Sequence, residues 1–280
     1  MGRRPVELRG VWLSKRRGQH VVIDQDVLYR MVEYAELNKR DTVLEIGTGI
    51  GNLTEALAVR AGRVITVEKD ERMIKLAMER VRAPNVEFIH GDIFKVRLPE
   101  FNKIVSNLPY GISSRITFWL LERNFELAVL MYQKEFAERL VAVPGTPRYG
   151  RITVNFWLCA SAEILEVVPP EAFYPRPKVF SAIVRVKRRA PPTKPKDPEM
   201  FRRVVRALFQ HRQQKVRNAL EHSFGELFPE IRLSKSARKG FLDAALPPRI
   251  AGQRVMRLTP EEIIELSDIL LEKGQNLTSP

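Results

Sequence analysis

The sequence predicts an α/β protein: a mostly parallel seven-stranded sheet with an antiparallel pair at one edge, followed by a small helical domain. Three observations lead there. From residue 42 onward, short β-rich runs alternate with amphipathic stretches of helical period, the pattern of a parallel sheet covered on both faces. The last two runs are joined by VPPEAFYPRPK (168–178), too rich in proline for a crossover helix, so they pair antiparallel. At RRAPPTKPKDP (188–198) four prolines in eleven residues mark a stiff linker, and the β pattern stops there.

Element by element, strands are expected at 42–46, 63–67, 86–89, 103–106, 127–132, 162–168 and 179–187, and helices at 52–61 and 70–81 among others. Past the linker, Phe201, Val204, Val205, Leu208 and Phe209 share one face of a helical run with arginines around it. Thr259-Pro260-Glu261-Glu262 reads as a capping box with proline at the first helical position. No internal repeat is visible. The expected organisation is a basic arm over 1–17, a catalytic domain over 18–187, the linker over 188–198 and a basic helical domain over 199–280.

Charge is unevenly spread. The chain of 280 residues carries a net charge of +14, with +5 in residues 1–17 and +12 in residues 187–257. A near-neutral body between two basic flanks suits a protein that holds a polyanion at its edges. The candidate contacts are Lys15, Arg16 and Arg17 in the arm, and Arg202, Arg203, Arg206, Arg212, Lys215 and Arg217 after the linker. No apolar run approaches the roughly 18 to 20 residues that span a bilayer, and no signal-peptide pattern opens the chain. The single Cys159 excludes an intrachain disulfide and a cysteine-built zinc site, which points to a reducing cytoplasm. No metal site and no membrane partner are expected, and the chain reads as a monomer.

The ends of the first four strands carry the chemistry. VLEIGTGIGN (43–52) runs a strand into Gly47, Gly49 and Gly51, where a backbone free of Cβ atoms turns sharply and approaches a ligand closely. That loop alone would also suit a nicotinamide-binding protein, although its spacing departs from G-x-G-x-x-G. The second strand ends in Glu68, twenty-one residues after Gly47, where a carboxylate can accept both hydroxyls of a ribose. VEFIHGD leads to Asp92, placed to take the amino group of an adenine, and the fourth strand ends in Asn107. In an open α/β sheet these ends meet in one crevice, and this one is built for an adenosine-containing cofactor.

With those residues in hand, the chain resembles the class I S-adenosylmethionine-dependent methyltransferases. More narrowly, it resembles the small-subunit ribosomal RNA adenine dimethyltransferases through KRRGQHVVID (15–24), NLPYGISS (107–114), QKEFAERLVAVPG (133–145) and FYPRPKVFSAIVRV (173–186). His20 in GQH is closer to the archaeal and eukaryotic branch. The resemblance covers residues 15–257 and implies a Rossmann-like fold, S-adenosylmethionine as cofactor, and a role in small-subunit biogenesis. It implies that His20, Val22, Gly47, Glu68, Asp92 and Asn107 surround that cofactor. The implied target is two adjacent adenosines near the 3′ end of small-subunit RNA.

The tetrapeptide Asn107-Leu108-Pro109-Tyr110 then has a chemical reading. The lone pair of adenine's exocyclic amine is conjugated into the ring, so two acceptors drawing its hydrogens out of plane favour methyl transfer. The Asn107 side-chain oxygen and the Leu108 carbonyl are the natural pair, Pro109 stiffens the turn, and Tyr110 offers a ring for the extruded base. Phe173 is expected to close the other side of that base. Three alternatives stay open at this level: DNA-adenine or glutamine methyltransferases with a similar clamp, macrolide-resistance enzymes acting on large-subunit RNA, and a non-catalytic RNA-binding assembly factor.

Overall fold

The computed structural model describes residues 20–275 together with the strands β1 (Val6–Leu8) and β2 (Val11–Leu13), which pair antiparallel. Lys15, Arg16 and Arg17 lie outside the described residues. The chain divides into two compact units. One comprises residues 1–141 and 160–188, the other residues 142–159 and 189–280.

In the first unit, β3 (Val21–Val22) precedes α1 (Gln25–Tyr34), whose first turn is capped by the Asp24 carboxylate. Then follow β4 (Thr42–Ile46), α2 (Asn52–Arg60), β5 (Arg63–Glu68), α3 (Glu71–Arg80), β6 (Val86–His90), β7 (Lys103–Asn107), α4 (Ser113–Leu121), β8 (Leu127–Gln133) and α5 (Lys134–Leu140). After the chain returns to this unit come β9 (Ala160–Val168), β10 (Phe173–Tyr174) and β11 (Ser181–Arg188). The seven-stranded sheet has the order β6-β5-β4-β7-β8-β11-β9. The pairings from β6 to β8 are parallel, while β11 runs antiparallel to both β8 and β9. The expected antiparallel edge is present, and β10 adds a short pairing with β3.

Consecutive residues such as Val43 and Leu44, or Ile104 and Val105, are all fully buried, so both sheet faces are covered. Continuous β-branched and leucine runs without polar alternation have this cause. Each such side chain contributes about 1.5–3 kcal/mol by leaving water. The strand order reverses between β4 and β7. Their carboxyl ends part there and open the crevice that an α/β sheet of this winding provides.

The second unit gathers α6 (Arg151–Trp157), α7 (Pro198–Gln210), α8 (Val216–His222), α9 (Phe224–Leu227), α10 (Lys235–Ala245), α11 (Pro248–Ala251) and α12 (Pro260–Gln275). The apolar face read from α7 is its core face, with Phe201, Val204, Val205 and Leu208 buried against Leu220, Phe224 and Ile263. The capping box is reciprocal: Thr259 N donates to Glu262 Oε2 at 2.9 Å and Glu262 N to Thr259 Oγ1 at 3.2 Å. Two sequence expectations differ from this unit. Residues 142–159 belong to it rather than to the catalytic segment, because buried Tyr149 bonds the Leu258 carbonyl at 2.7 Å and Val154 joins the same core. The proline-rich stretch is also fastened, since Lys196 N donates to Asp268 Oδ1 at 2.9 Å and Lys196 Nζ meets Glu272.

Candidate active site

At the reversal point lies a cavity of about 590 Å³. Its wall includes nine of the residues expected there: His20, Val22, Gly47, Gly49, Glu68, Asn107, Leu108, Pro109 and Tyr110. The glycines work by conformation and by proximity. Gly47 has φ of +87° and Gly49 of +58°, and a Cβ on Gly49 would meet nothing within 4 Å, so the loop stands open toward the cavity.

Glu68 closes the end of β5. Its Oε1 accepts Lys69 N and Asp70 N, each at 2.9 Å, and its Oε2 accepts Gly49 N at 3.1 Å. Burial nevertheless leaves its pKa raised above the ordinary carboxylate value, the three backbone donors offsetting only part of that cost. The carboxylate thus ties the glycine loop to the start of α3 while lining the cavity.

Asn107 ends β7, and its Nδ2 donates to the His20 carbonyl at 3.0 Å. Carbonyl oxygens only accept, so the amide must present nitrogen on that side and oxygen on the other. Among the described residues, no hydrogen bond ends on the Leu108 carbonyl. Both acceptors of the expected clamp are therefore available. Tyr110 is anchored by its hydroxyl to Ser181 Oγ, and burial pushes its pKa up to about 12. Its ring stacks with that of His20 at 5.6 Å between centroids and 28° between planes. His20 Nδ1 lies 2.5 Å from the Pro175 carbonyl, which fixes the proton on Nδ1.

Three expected residues stand elsewhere. Phe173 is 2 % exposed, its ring packed in the core with Val22 and Leu28 because β10 pairs Phe173 with Val22, so it has no free face for a base. Gly51 serves packing: a Cβ there would lie 2.7 Å from Cγ2 of Val81, the residue that caps the C-terminal end of α3. Asp92 sits two residues beyond the end of β6 and off the cavity wall. Its Oδ2 pairs with Lys69 Nζ at 3.0 Å and its Oδ1 accepts Phe94 N at 3.1 Å. The Lys69 bond, with the Phe94 N–H and the field of Arg115, holds its pKa below the usual carboxylate value.

Sequence reasoning missed Glu45. This carboxyl lines the cavity from inside β4, is 1 % exposed, and accepts the hydroxyls of Thr54 at 2.6 Å and Thr66 at 2.7 Å. The Thr48 hydroxyl lies 2.6 Å from that of Thr66 and extends the chain of bonds beneath the glycine loop. Burial is the first cause, with the field of Glu68 in support, that pushes the Glu45 pKa up to about 8. The signal was an acid inside the apolar run VLEIG.

The family model of "Ribosomal RNA adenine dimethylase" matches residues 13–240. The chain belongs to the ribosomal RNA adenine dimethylase family. It is accordingly a methyltransferase acting on ribosomal RNA adenine, with the class I methyltransferase fold. Within this family it is 46% identical over 259 residues to "Probable ribosomal RNA small subunit methyltransferase A" of Methanothermobacter thermautotrophicus, covering 92% of this chain and 91% of that one. The protein of the same description from Thermococcus gammatolerans is 44% identical over 261 residues, covering 93% and 90%. Among solved structures, a dimethyladenosine transferase from Plasmodium falciparum superposes with a TM-score of 0.76 at 28% identity, covering 91% of this chain and 98% of that one. The 23S rRNA methyltransferase ErmE gives 0.66 at 30% identity, covering 89% and 98%.

The arginines that sequence reading singled out in the helical unit are mostly engaged. Arg202 and Arg203 pair with Glu199 at 2.6 and 3.5 Å, Arg217 pairs with Asp243 and Glu221, and Arg212 donates to the Pro147 carbonyl at 2.8 Å. Among the described residues, Arg206 and Lys215 form no ion pair. No helix among these residues is long and apolar enough to cross a membrane.

Proposed function

We propose that this dimethylase uses S-adenosylmethionine to convert two adjacent adenosines near the 3′ end of small-subunit ribosomal RNA to N6,N6-dimethyladenosines. In this reading it acts as a cytoplasmic monomer during small-subunit assembly. The observation that carries the reading is the orientation of Asn107, whose amide nitrogen is spent on the His20 carbonyl so that its side-chain oxygen is left to accept, as is the Leu108 carbonyl. Those two acceptors suit the two hydrogens of an exocyclic amine and nothing anionic.

The residues fit the cofactor. The cavity pairs an apolar wall of Val22, Ile50, Leu53 and Met73 with the carboxyl groups of Glu45, Glu68 and Asp70, and its glycine loop admits close approach. Glu68 would accept the ribose hydroxyls, the glycine backbone would border the amino-acid portion, and Glu45 would answer its ammonium from below. When bound, S-adenosylmethionine supplies an electrophilic methyl group and leaves as S-adenosylhomocysteine. Asn107 and Leu108 hold the amine so that its lone pair points at that methyl, and Pro109 fixes the turn between strand and clamp. Tyr110, anchored on Ser181, presents its ring to the extruded base. Each turnover replaces one amine hydrogen by methyl and releases that proton to water, so two turnovers complete each base.

Similarity to ErmE makes large-subunit RNA the competing substrate, while the relatives at 44–46% identity are named for the small subunit. Incubation with labelled cofactor and under-methylated small subunits, followed by mass spectrometry of the RNA, tests the assignment. Label in two adjacent adenosines near the 3′ end is expected. Small subunits left unlabelled beside large-subunit RNA that takes up the label in a parallel incubation would sink it.

A further inference from the structure

One feature outside the cleft is left unused by this chemistry. The outer side of α4 carries Arg115 and Trp119, and Arg123 follows just past its end, so the three stand at i, i+4 and i+8 in one row. The Arg115 Cζ lies 3.8 Å from the centroid of the Phe94 ring, and the Arg123 Cζ lies 4.3 Å from that of Trp119. Phe94 and Trp119 meet edge to face at 6.3 Å. Cation, ring, ring and cation therefore form a continuous surface, with Phe94 and Trp119 only half-buried. A second cavity of about 600 Å³ opens beside it, lined by Arg97, Pro99, Phe101, Trp119 and Arg123 among others.

The charges here are uncommitted. Lys95, Arg97, Arg115 and Arg123 stand against Asp92, Glu100 and Glu122; Arg115 acts on Asp92 only through its field, and among the described residues none of these four cations forms an ion pair. That separates them from Arg202, Arg203 and Arg217, which their own acids neutralise. A guanidinium already held on an aromatic ring loses little freedom when it meets a phosphate, and no ion pair need break first. Aromatic rings beside an open cavity also offer what a nucleobase stacks on, and cations interleaved with rings are the pattern of single-strand binding.

Position selects which nucleotides. The Ser113 hydroxyl donates to the Tyr110 carbonyl at 3.1 Å, which joins the start of α4 to the clamp. The row begins five residues after Tyr110 and follows the helix away from the cleft. We propose that Phe94, Arg115, Trp119 and Arg123 form a single-stranded RNA subsite that grips nucleotides flanking the target adenosine. This rests on the RNA methyltransferase reading above.

The test is anisotropy of a fluorescent single-stranded RNA from the 3′ end of small-subunit rRNA, titrated with the full-length protein across a salt series. Two lost phosphate contacts in Arg115→Gln/Arg123→Gln should weaken binding about tenfold near 0.15 M salt and flatten the log–log salt slope by about 1.4–1.8. Trp119→Leu should weaken binding about fivefold or more with the slope unchanged. Arg115→Lys/Arg123→Lys, which keeps the charge, should keep the slope and guards against a folding artefact. Calorimetric affinity for S-adenosylmethionine should match wild type in all three. Wild-type RNA affinity and slope in the Gln variant would overturn the subsite even while the enzyme methylates, and would leave the row to a protein partner. A loss of cofactor affinity would overturn it too, by tracing the effect to the cleft. The variant losses and slope changes given above, found in a protein whose wild type methylates no ribosomal RNA, would refute the methylation reading and uphold the subsite.

Discussion

The Asn107 amide and the His20 carbonyl are bonded at 3.0 Å across 87 residues of sequence. Asn52 Nδ2 claims the Val22 carbonyl in the same way at 2.8 Å. Two asparagines near the ends of separate elements thus hold the segment 20–22 against the cleft by its backbone. The Asn107 amide is oriented by the contact that also closes the pocket wall.

Asn107→Ala should lose both functions. Single-turnover methylation at saturating RNA is expected to fall by about 10²–10³, the range for one preorganised polar group at a reacting centre. A rate near wild type would remove Asn107 from the clamp.

Glu68→Gln keeps the shape of the side chain but turns an amide NH2 toward backbone N–H groups. Three such donors face the two oxygens of Glu68, so one must be left unmatched. Cofactor affinity should drop by about 2–4 kcal/mol, through the lost ribose acceptor and the loosened loop. Titration calorimetry on the folded variant measures it.

Gly51→Ala tests packing against binding. The new Cβ would lie 2.7 Å from Val81 Cγ2, at a φ of +84°. A destabilisation of about 1–3 kcal/mol is expected in chemical unfolding. Adding Val81→Ala should recover part of it, the unfavourable φ remaining. Cofactor affinity of the folded single variant should stay close to wild type.

Glu45 gives a pH dependence with a definite sign. Its folded pKa of about 8 lies above its ordinary value of 4.5, so its protonated form is favoured by folding. Stability from this group is fully present below about pH 4.5 and is lost as pH rises through about 8. Relative to Glu45→Gln, wild-type protein without cofactor should lose stability across that window and run parallel above it. Urea midpoints over the pH range would read this, and parallel curves throughout would contradict it.

In the helical unit, Arg206→Gln/Lys215→Gln should flatten the salt dependence of RNA binding by about 1.4–1.8 units, whereas Arg202→Gln/Arg203→Gln should change it by less. The difference follows from Glu199, which already occupies the second pair. Equal effects would show that the RNA displaces Glu199.

Much of the fold was legible because buried parallel strands leave continuous apolar runs and because turn chemistry follows them. The cavity wall was legible where a polar side chain falls at a strand end, as at Glu68 and Asn107. Glu45 was not, since a polar residue inside a strand is usually an exception to explain rather than a signal to follow. Phe173 misled because an aromatic beside prolines looks like a surface loop, whereas its two-residue pairing with Val22 draws the ring inward. The ion pairs of Arg202 and Arg203 depend on which side of α7 Glu199 shares, and charge counting along the chain does not contain that. The assignment of 142–159 needed the partner of Tyr149, which lies 109 residues further on.

That distance sets a waiting time during synthesis. When the ribosome has emitted Tyr149, the carbonyl and apolar wall that will receive its ring do not yet exist. At about 5–20 residues per second, Leu258 follows roughly 5 to 20 s later. All seven strands of the sheet have been made in the meantime, so the nascent chain can finish its first unit while an eighteen-residue excursion from it, carrying Tyr149, Val154 and Phe156, stays exposed. A chain stopped after residue 188 would keep that excursion permanently uncovered, and a chaperone that recognises apolar segments would find its target there.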